Sequence, residues 1–156
     1  MLHFAFGSNM DPNQIAERCP SFEFYSKALL RDYSLTFPRT SARGFGVSSV
    51  EASAGSVVWG VLYKLTEEDI ARLDRKEGVG AGAYSKKVVT VLANGDEKTP
   101  VQAYTYVAIP TPNPMKPSNE YKMRIVNGAK HWLLPDDYVG TLEVIGTSDT
   151  DEARKS

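Results

Sequence analysis

The hydrophobic residues of this chain fall mostly into short runs of strand length, some continuous and some alternating with polar residues. Between residues 22 and 38 aromatic and aliphatic residues alternate with polar ones, with a break at Arg31-Asp32, which predicts two successive strands. The stretch from Leu2 to Phe6 is apolar and aromatic and predicts a short buried strand. The predicted strands cover residues 2–6, 22–30, 33–38, 57–64, 84–92 and 101–109.

Signals that start helices precede four other stretches. Asp11 followed by Pro12 suits a helix N-cap and the first helical position. Thr66 resembles the first residue of a capping box, with Asp in place of the usual Glu or Gln three residues later. Ser118 can cap a third helix, and Pro135 opens a short fourth one. The predicted helices cover residues 12–18, 66–75, 119–132 and 135–142.

The segments between these elements differ in composition. Residues 39–55 are rich in Ser, Gly and Ala and predict a long loop, which in a compact domain is often functional. Asn94-Gly95 predicts a tight hairpin turn, and residues 109–117 hold four prolines and predict a stiff linker. Hairpin-linked strands with inserted helices predict an α+β fold. We expect a compact, mostly antiparallel β-barrel or sheet with flanking helices over residues 1–146, and a polar tail over residues 147–156 that frays.

The composition restricts the class of protein. The 156 residues suit one domain, and 42% hydrophobic with 24% charged residues is typical of a globular protein. The formal net charge of −1 provides no basic field, so we expect neither nucleic acid nor a membrane surface as a partner. We expect no transmembrane helix and no signal peptide. The single cysteine, Cys19, cannot form an internal disulfide, which favours the cytoplasm.

The connection between the second predicted helix and the strand at residue 84 is unusual. In it Glu77 is followed by glycines at positions 78, 80 and 82, where the backbone can bend sharply or approach a ligand. One carboxylate beside such a loop suits an acid/base group in a cleft wall, and a solvated loop carboxylate has the same local pattern. Residues 78–83 also fit G-x-G-x-x-A. That dinucleotide-binding pattern must follow a strand and open a helix, and here the order is reversed, so nucleotide binding is not expected.

The turn Gly7–Asn9 follows the first predicted strand and precedes a helix. A turn in this place presents backbone N–H groups and two polar side chains at one end of a strand, which suits an anionic group such as a carboxylate. Ser8 and Asn9 can equally well bond only the local backbone, as they do in many turns. The residues alone leave both interpretations open.

The side chains that most often bind metals or act as nucleophiles are few and scattered. His3 lies in an apolar strand, where a packed histidine is expected, and His131 closes a helix, where a cation interacts well with the dipole. Cys19 is expected to be a small structural thiol. No H-x-x-x-H or C-x-x-C spacing occurs, and Ser8 does not lie in G-x-S-x-G. The sequence signals for a metal site, a reactive thiol and a serine nucleophile are therefore weak. We expect no metal or cofactor, and a lone carboxylate acid/base is the leading catalytic option.

Three segments, in this order, resemble the signatures of the γ-glutamylcyclotransferase family. The first, F-A-F-G-S-N-M at residues 4–10, resembles the Y-G-S-N signature. The second, residues 73–84, resembles the signature that contains the catalytic glutamate of the family. The third, residues 117–138, holds P-S-N-E-Y-K, G-A-K and L-P followed by a tyrosine. The similarity spans residues 2–145, and the three segments together are specific.

The resemblance implies a role for eight residues. Glu77 matches the general acid/base, and the turn Gly7–Asn9 matches the loop whose backbone binds the glutamyl end of the substrate. Tyr84 and Tyr121 match tyrosines that line the site. Phe6 stands where the signature usually has tyrosine, so any hydrogen bond of that hydroxyl is in doubt. The expected substrate-binding residues are Phe6, Gly7, Ser8, Asn9, Met10, Tyr84 and Tyr121.

The resemblance also implies a fold and a reaction. The family fold is a compact barrel-like α+β domain with a cavity at one mouth. The family reaction converts a γ-glutamyl amide into 5-oxoproline and a free amine, with the α-amine of the substrate as nucleophile and without cofactor or metal. The expected partner is thus a small molecule, and the chain is expected to be a monomer or homodimer. A non-catalytic module that binds a γ-glutamyl group or a small acid is the alternative.

Overall fold

The computed structural model describes residues 1–148, and these form a closed β-barrel flanked by helices. The strand order around the barrel is β1-β3-β2-β4-β5, and every neighbouring pair is antiparallel except β1 and β5. The expected α+β class with a mostly antiparallel barrel is confirmed. The strands are β1 Leu2–Ala5, β2 Glu23–Thr40, β3 Gly46–Lys64, β4 Tyr84–Ala93 and β5 Pro100–Ala108. The helices are α1 Pro12–Arg18, α2 Glu67–Lys76, α3 Asn119–His131 and α4 Asp136–Glu143, and a 3-10 turn, Ser8–Met10, lies between β1 and α1.

The short first strand closes the barrel. His3 pairs with Tyr63 of β3 on one side and with Tyr104 of β5 on the other. Because β1 and β5 run parallel, their carboxyl ends meet at the same end of the barrel, and β4 begins there opposite Ala108. The residues that follow β1 and those that precede β4 therefore come together at one mouth of the barrel.

Strands β2 and β3 form one long hairpin, so the prediction of a long loop over residues 39–55 is wrong. The pairing continues from Tyr33 opposite Ala52 to Thr40 opposite Gly46, and only residues 41–45 connect the strands. Ser, Gly and Ala are weak strand formers, but a partner strand overrides such local preferences. The predicted break at Arg31-Asp32 is a bulge within β2, where Asp32 has a φ of 64°.

The core consists of two hydrophobic clusters. One is built from strand residues together with Phe6, which directly follows β1, and it contains Phe4 and Leu62, both fully buried. The other joins the barrel to the helices and contains Leu73 of α2 and Ile125 of α3, also fully buried. Complete burial of a side chain of this size stabilises the fold by about 1.5–3 kcal/mol. The helices are thus anchored to one side of the barrel.

Helix α3 holds the 3-10 turn against the barrel. Gly128 lies so close to Met10 that a Cβ atom at residue 128 would overlap the Met10 backbone. The indole Nε1 of Trp132 donates a hydrogen bond to the Met10 carbonyl at 2.7 Å, and the Tyr63 hydroxyl donates to the Asn9 carbonyl at 2.8 Å. Tertiary contacts therefore determine the position of the turn that follows β1.

The last described residues are not frayed. Thr147 and Ser148 are buried, the Ser148 N–H donates to the Pro117 carbonyl at 3.1 Å, and its hydroxyl donates to the Lys116 carbonyl at 3.0 Å. The expectation of fraying is therefore wrong at these two positions, because the linker that precedes α3 provides acceptors for them. Residues 149–156 of the expected tail lie outside the described residues, and the boundary between domain and tail stays a prediction.

Within residues 1–148, the longest helices are too short or too polar to cross a membrane.

We expect alanine substitution of two helical glycines to change the free energy of unfolding in opposite directions. Gly128→Ala should lower the free energy of unfolding by about 1–3 kcal/mol, because the new methyl group overpacks a tight contact with backbone. Gly140→Ala in α4 is the matched control, since its Cβ would meet no atom within 4 Å; it should raise stability by about 0.5–1 kcal/mol through helix propensity. Urea unfolding of both variants measures the difference. Equal stabilities would contradict the close contact between α3 and Met10.

Candidate active site

A cavity of about 340 Å³ opens at the mouth of the barrel where β1 ends and β4 begins. This volume is in the range of sites for small molecules. Seven of the eight residues expected at the site line it, namely Phe6, Gly7, Ser8, Asn9, Glu77, Tyr84 and Tyr121. Segments that are far apart in the sequence therefore meet at one cavity.

Glu77 is held in place by the end of α2. It is the C-cap residue of this helix, and Gly78 follows with a φ of 67°. The Gly78 N–H donates to the Arg75 carbonyl at 3.1 Å, and the Val79 N–H donates to the Asp74 carbonyl at 3.0 Å. These two bonds form a Schellman motif, which requires a left-handed residue, usually glycine, directly after the cap. The first glycine of the loop thus ends the helix and turns the chain immediately after Glu77.

The carboxylate of Glu77 is mostly buried and is paired. Its side chain is 15% exposed, the Asn9 Nδ2 donates to its Oε1 at 2.9 Å, and the Arg18 guanidinium lies 3.6 Å from the same oxygen. Burial raises the pKa of Glu77 above its ordinary value, and the positive charge of Arg18 and the Asn9 hydrogen bond partly oppose this rise. A raised pKa brings a carboxyl group closer to the range in which it can both accept and release a proton at neutral pH.

Gly7 is required for space rather than for an unusual φ. Its φ is −112°, which lies outside the left-handed region. A Cβ atom at residue 7 would overlap the Ser48 Oγ, and the Tyr121 hydroxyl is 3.8 Å from the same position. The absence of a side chain at Gly7 therefore allows β3 and α3 to approach the turn at the cavity wall.

Tyr84 and Tyr121 meet at Ser48 of β3. The Ser48 N–H donates to the Tyr121 hydroxyl oxygen at 3.0 Å, and the Ser48 and Tyr121 hydroxyl oxygens are 2.9 Å apart. The Tyr84 hydroxyl donates weakly to the Ser48 carbonyl at 3.5 Å. Burial raises the pKa of both tyrosines, so both hydroxyls stay protonated at neutral pH. Each can therefore serve a ligand as a neutral hydrogen-bond donor.

Phe6 and Met10, which flank the turn Gly7–Asn9, lie in different environments. Phe6 is 5% exposed, lines the cavity, and packs near Phe4 at a ring-centroid distance of 6.2 Å. Met10 is completely buried in the core beside Gly128 and is not part of the cavity lining. The apolar side chain of Met10 anchors the turn, and it packs in the core and does not line the cavity with the other predicted site residues.

Sequence reasoning missed several polar residues of the site. Gln14 and Arg18 lie four residues apart on α1, and this i,i+4 spacing puts both side chains on the face of the helix that contacts Asn9. That spacing was a usable signal. Ser48 was hidden in the segment predicted as a loop, and Arg39 and Lys76 reach the cavity wall from β2 and α2. No local pattern marks these three.

Of the other side chains that could react, His3 and Cys19 are buried and His131 is exposed. His3 is buried between the rings of Tyr104 and Tyr106 at 4.8 and 5.3 Å, and burial lowers its pKa to about 4. Cys19 is a buried free thiol, and burial raises its pKa to about 12. The ring of His131 packs edge-on against Trp132. Among residues 1–148, no three His, Cys, Asp or Glu side chains converge in a way that could hold a metal ion.

Comparison with known proteins gives consistent matches. The family model of the AIG2-like family matches residues 57–142. A bovine protein named gamma-glutamylcyclotransferase is 34% identical over 95% of this chain and 80% of its own length, and its human counterpart is 32% identical over the same shares. A solved structure named gamma-glutamyl cyclotransferase superposes with a TM-score of 0.85 at 29% identity, and the match covers 100% of this chain and 99% of that one.

These matches cover 95% and 100% of the chain, and the match to the solved structure includes both the turn after β1 and the end of α2. The resemblance found in the three sequence segments is thereby confirmed. The chain belongs to the AIG2-like family and is a member of the γ-glutamylcyclotransferase family.

Proposed function

We propose that this protein is a γ-glutamylcyclotransferase that converts a γ-glutamyl amide into 5-oxoproline and a free amine, with Glu77 as the general acid/base. The activity follows the names of its relatives. The observation that supports the role of Glu77 is its place in the cavity wall, mostly buried and hydrogen-bonded by Asn9 of the turn. A carboxylate with a raised pKa in a cavity has the properties of a catalytic acid/base.

The reaction needs one group that moves a proton twice. The ammonium group of the substrate loses a proton to Glu77, and the neutral α-amine attacks the γ-carbonyl carbon to form the new C–N bond of the ring. The bond to the leaving nitrogen breaks as Glu77 gives the proton to that nitrogen. Glu77 then takes the second proton from the ring nitrogen and passes it to the released amine, which leaves as an ammonium ion. Nucleophile and carbonyl belong to one molecule, so the folded conformation of the bound substrate supplies proximity. Because Asn9 and Arg18 face Oε1, Oε2 is the oxygen available for the proton.

The turn after β1 is suited to the glutamyl end of the substrate. The N–H groups of Met10 and Asp11 donate to carbonyls within the turn, so the backbone amides of Gly7–Asn9 are the candidates for the α-carboxylate. Ser8 and Tyr121 add hydroxyl groups to the same wall. Amides of this kind can also stabilise the negative charge that develops on the γ-carbonyl oxygen.

The charges in the cavity favour an anionic ligand. Among the described residues that line it, Arg18, Arg39 and Lys76 carry positive charge and Glu77 is the one carboxylate. Arg39 donates one hydrogen bond to the Ile109 carbonyl at 3.0 Å, and a guanidinium group has five N–H donors, so donors remain for a ligand. A γ-glutamyl amino acid brings a second carboxylate on its leaving group, which a γ-glutamyl amine lacks. The amino acid is therefore the preferred leaving group.

The cytoplasm remains the proposed compartment, on the ground of the single cysteine, Cys19, which is free and buried. A monomer or homodimer remains the proposed oligomeric state.

The acid/base role is tested by Glu77→Gln, which keeps the shape and cannot cycle a proton. The rate of 5-oxoproline release should fall by about 100-fold or more at saturating substrate. Glu68→Gln makes the same change on the exposed face of α2 and should leave the rate unchanged. A near-normal rate for Glu77→Gln, with an unchanged melting temperature, would reject the role. Binding of substrate without release of 5-oxoproline by the wild-type protein would favour the non-catalytic module.

The raised pKa of Glu77 predicts the pH dependence. The base must be ionised in the free enzyme, so kcat/KM should fall as the pH decreases through this pKa. Arg18→Gln removes a charge that favours the carboxylate, and the midpoint of the fall should move to higher pH. Arg75→Gln, an exposed arginine at the end of α2, is the control and should leave the midpoint in place. A midpoint that is equal in all three proteins would exclude Glu77 as the group that titrates.

The charge argument is tested with two substrates that differ only in one carboxylate, γ-glutamyl-alanine and γ-glutamyl-ethylamine. The wild-type protein should use the alanine compound with the lower KM, and Arg39→Gln should reduce this preference by about 10-fold or more. Arg43→Gln changes an exposed arginine of the 41–45 connection and should not alter it. Equal use of both compounds by the wild-type protein would show that the leaving-group carboxylate is not recognised.

A further inference from the structure

A chain of buried hydrogen bonds runs from the surface of α3 to the cavity. The Arg124 NH1 donates to the Gln14 Oε1 at 2.6 Å, and the Gln14 Nε2 donates to the Ser8 Oγ at 2.7 Å and to the Asn9 Oδ1 at 3.0 Å. Gln14, Ser8 and Asn9 are each less than 10% exposed. None of the three sequence signatures contains Gln14 or explains why a glutamine should lie there.

Two arginines determine the direction of every bond in this chain. A guanidinium group can only donate, so the atom of Gln14 that faces Arg124 must be its oxygen, and its NH2 group must face the turn. Arg18 donates to the Asn9 side chain at 2.9 Å, so that atom is also an oxygen. The NH2 group of Asn9 consequently faces Glu77, which can accept its hydrogen bond.

The direction of the chain also determines what Ser8 can do. The Ser8 oxygen accepts a hydrogen bond from Gln14, so its own proton must point to another acceptor. Ser8 lines the cavity, and the Tyr121 hydroxyl is its neighbour on that side, where a hydrogen bond from Ser8 is one of the causes that oppose the rise of the Tyr121 pKa. Without Gln14 the hydroxyl could rotate and donate elsewhere. With Gln14 present its proton points to the Tyr121 hydroxyl at the cavity wall, where a bound anion can replace Tyr121 as the acceptor.

We propose that Gln14 is a positioning residue: its side-chain amide, oriented by Arg124, directs the Ser8 hydroxyl into the cavity as a hydrogen-bond donor and holds the Asn9 amide toward Glu77. The proposal rests on the proposed function in one respect, since the Ser8 donor then serves the α-carboxylate or the developing oxyanion of a γ-glutamyl substrate. Gln14 touches neither Glu77 nor, in this arrangement, the substrate.

The proposal is tested by Gln14→Glu, which has nearly the same shape but only acceptor atoms at neutral pH. The Ser8 hydroxyl would turn toward the new carboxylate. The side-chain oxygen of Asn9 would lose one of the two hydrogen bonds that it accepts, the one from residue 14. We expect kcat to fall by about 10- to 100-fold, the effect of losing one hydrogen bond to a charged group. Gln14→Met removes the amide, leaves Ser8 free to rotate, and should cost only a few-fold. A role in packing alone predicts the opposite order.

The matched control is Asn13→Asp. It makes the same change from amide to carboxylate at the neighbouring, exposed position of α1, so it adds the same charge without facing Ser8. Its kcat should stay within about twofold of the wild type, because exposed substitutions of this kind have small effects. A loss equal to that of Gln14→Glu would mean that the charge alone is responsible, and would overturn the proposal.

Two further measurements separate positioning from general damage. In a double-mutant cycle with Ser8→Ala, Gln14→Glu should have a smaller effect on kcat, because no hydroxyl is left to misdirect; additive effects would overturn the proposal. If Gln14→Glu does not fold, as judged by its melting temperature, Arg124→Met takes its place. It frees the Gln14 amide to rotate and should lower kcat several-fold, whereas Glu120→Gln, which removes only the exposed partner of Arg124, should not.

A readout without turnover distinguishes this proposal from the proposed function. The groups that face Glu77 are Arg18 of α1, the Asn9 amide, Tyr84 of β4 and Tyr121 of α3. Carbon-13 NMR of the Glu77 carboxyl group should show a higher pKa in Gln14→Glu than in Asn13→Asp, because the Asn9 bond to the ionised form is weakened. An inactive wild-type protein with this difference would reject only the proposed function. If the wild-type protein is active and the pKa of Glu77 is equal in Gln14→Glu and Asn13→Asp, only the role of Gln14 would be rejected.

Discussion

The hydrogen bond from Asn9 to Glu77 joins two segments that lie 68 residues apart in the chain, and the arrangement of the cavity depends on it. Each end is held by its own surroundings. The turn that carries Asn9 is bound by Tyr63 and Trp132, and Glu77 is held by the Schellman motif that ends α2. Because neither end is free to adjust, the bond orients the carboxylate. It also offsets part of the free-energy cost of burying that group.

The electrostatics of the site are a balance of opposing effects. A buried carboxylate without partners would stay protonated, and one fully paired with a cation would be too weak a base. Here burial raises the pKa of Glu77, and Arg18 and Asn9 limit the rise. Asn9, which bonds Glu77, and Gln14, which bonds both Asn9 and Ser8, are each oriented by an arginine, so the surroundings of Glu77 and the direction of the Ser8 hydroxyl have a common structural origin.

The long hairpin of β2 and β3 supplies the remaining wall. It brings Ser48 between the hydroxyl groups of Tyr84 and Tyr121, and it brings Arg39 to the mouth of the cavity. The hairpin is rich in small residues, and these allow close approaches; Ser48 lies so near the turn that a Cβ atom on Gly7 would overlap its Oγ. A segment that appears featureless as a string of Ser, Ala and Gly thus shapes the ligand-binding surface.

Features that depend only on neighbouring residues could be predicted from the sequence. Asp11, Thr66 and Ser118 cap helices as their local patterns predict, and the three signatures identified the family and predicted Glu77 as its acid/base. The tertiary structure was needed to show that residues 39–40 and 46–55 belong to paired strands, that Met10 packs in the core, and which side chains orient Asn9 and Glu77. The reason is that strand pairing and buried hydrogen bonds join residues distant in sequence, and their energies override local propensity.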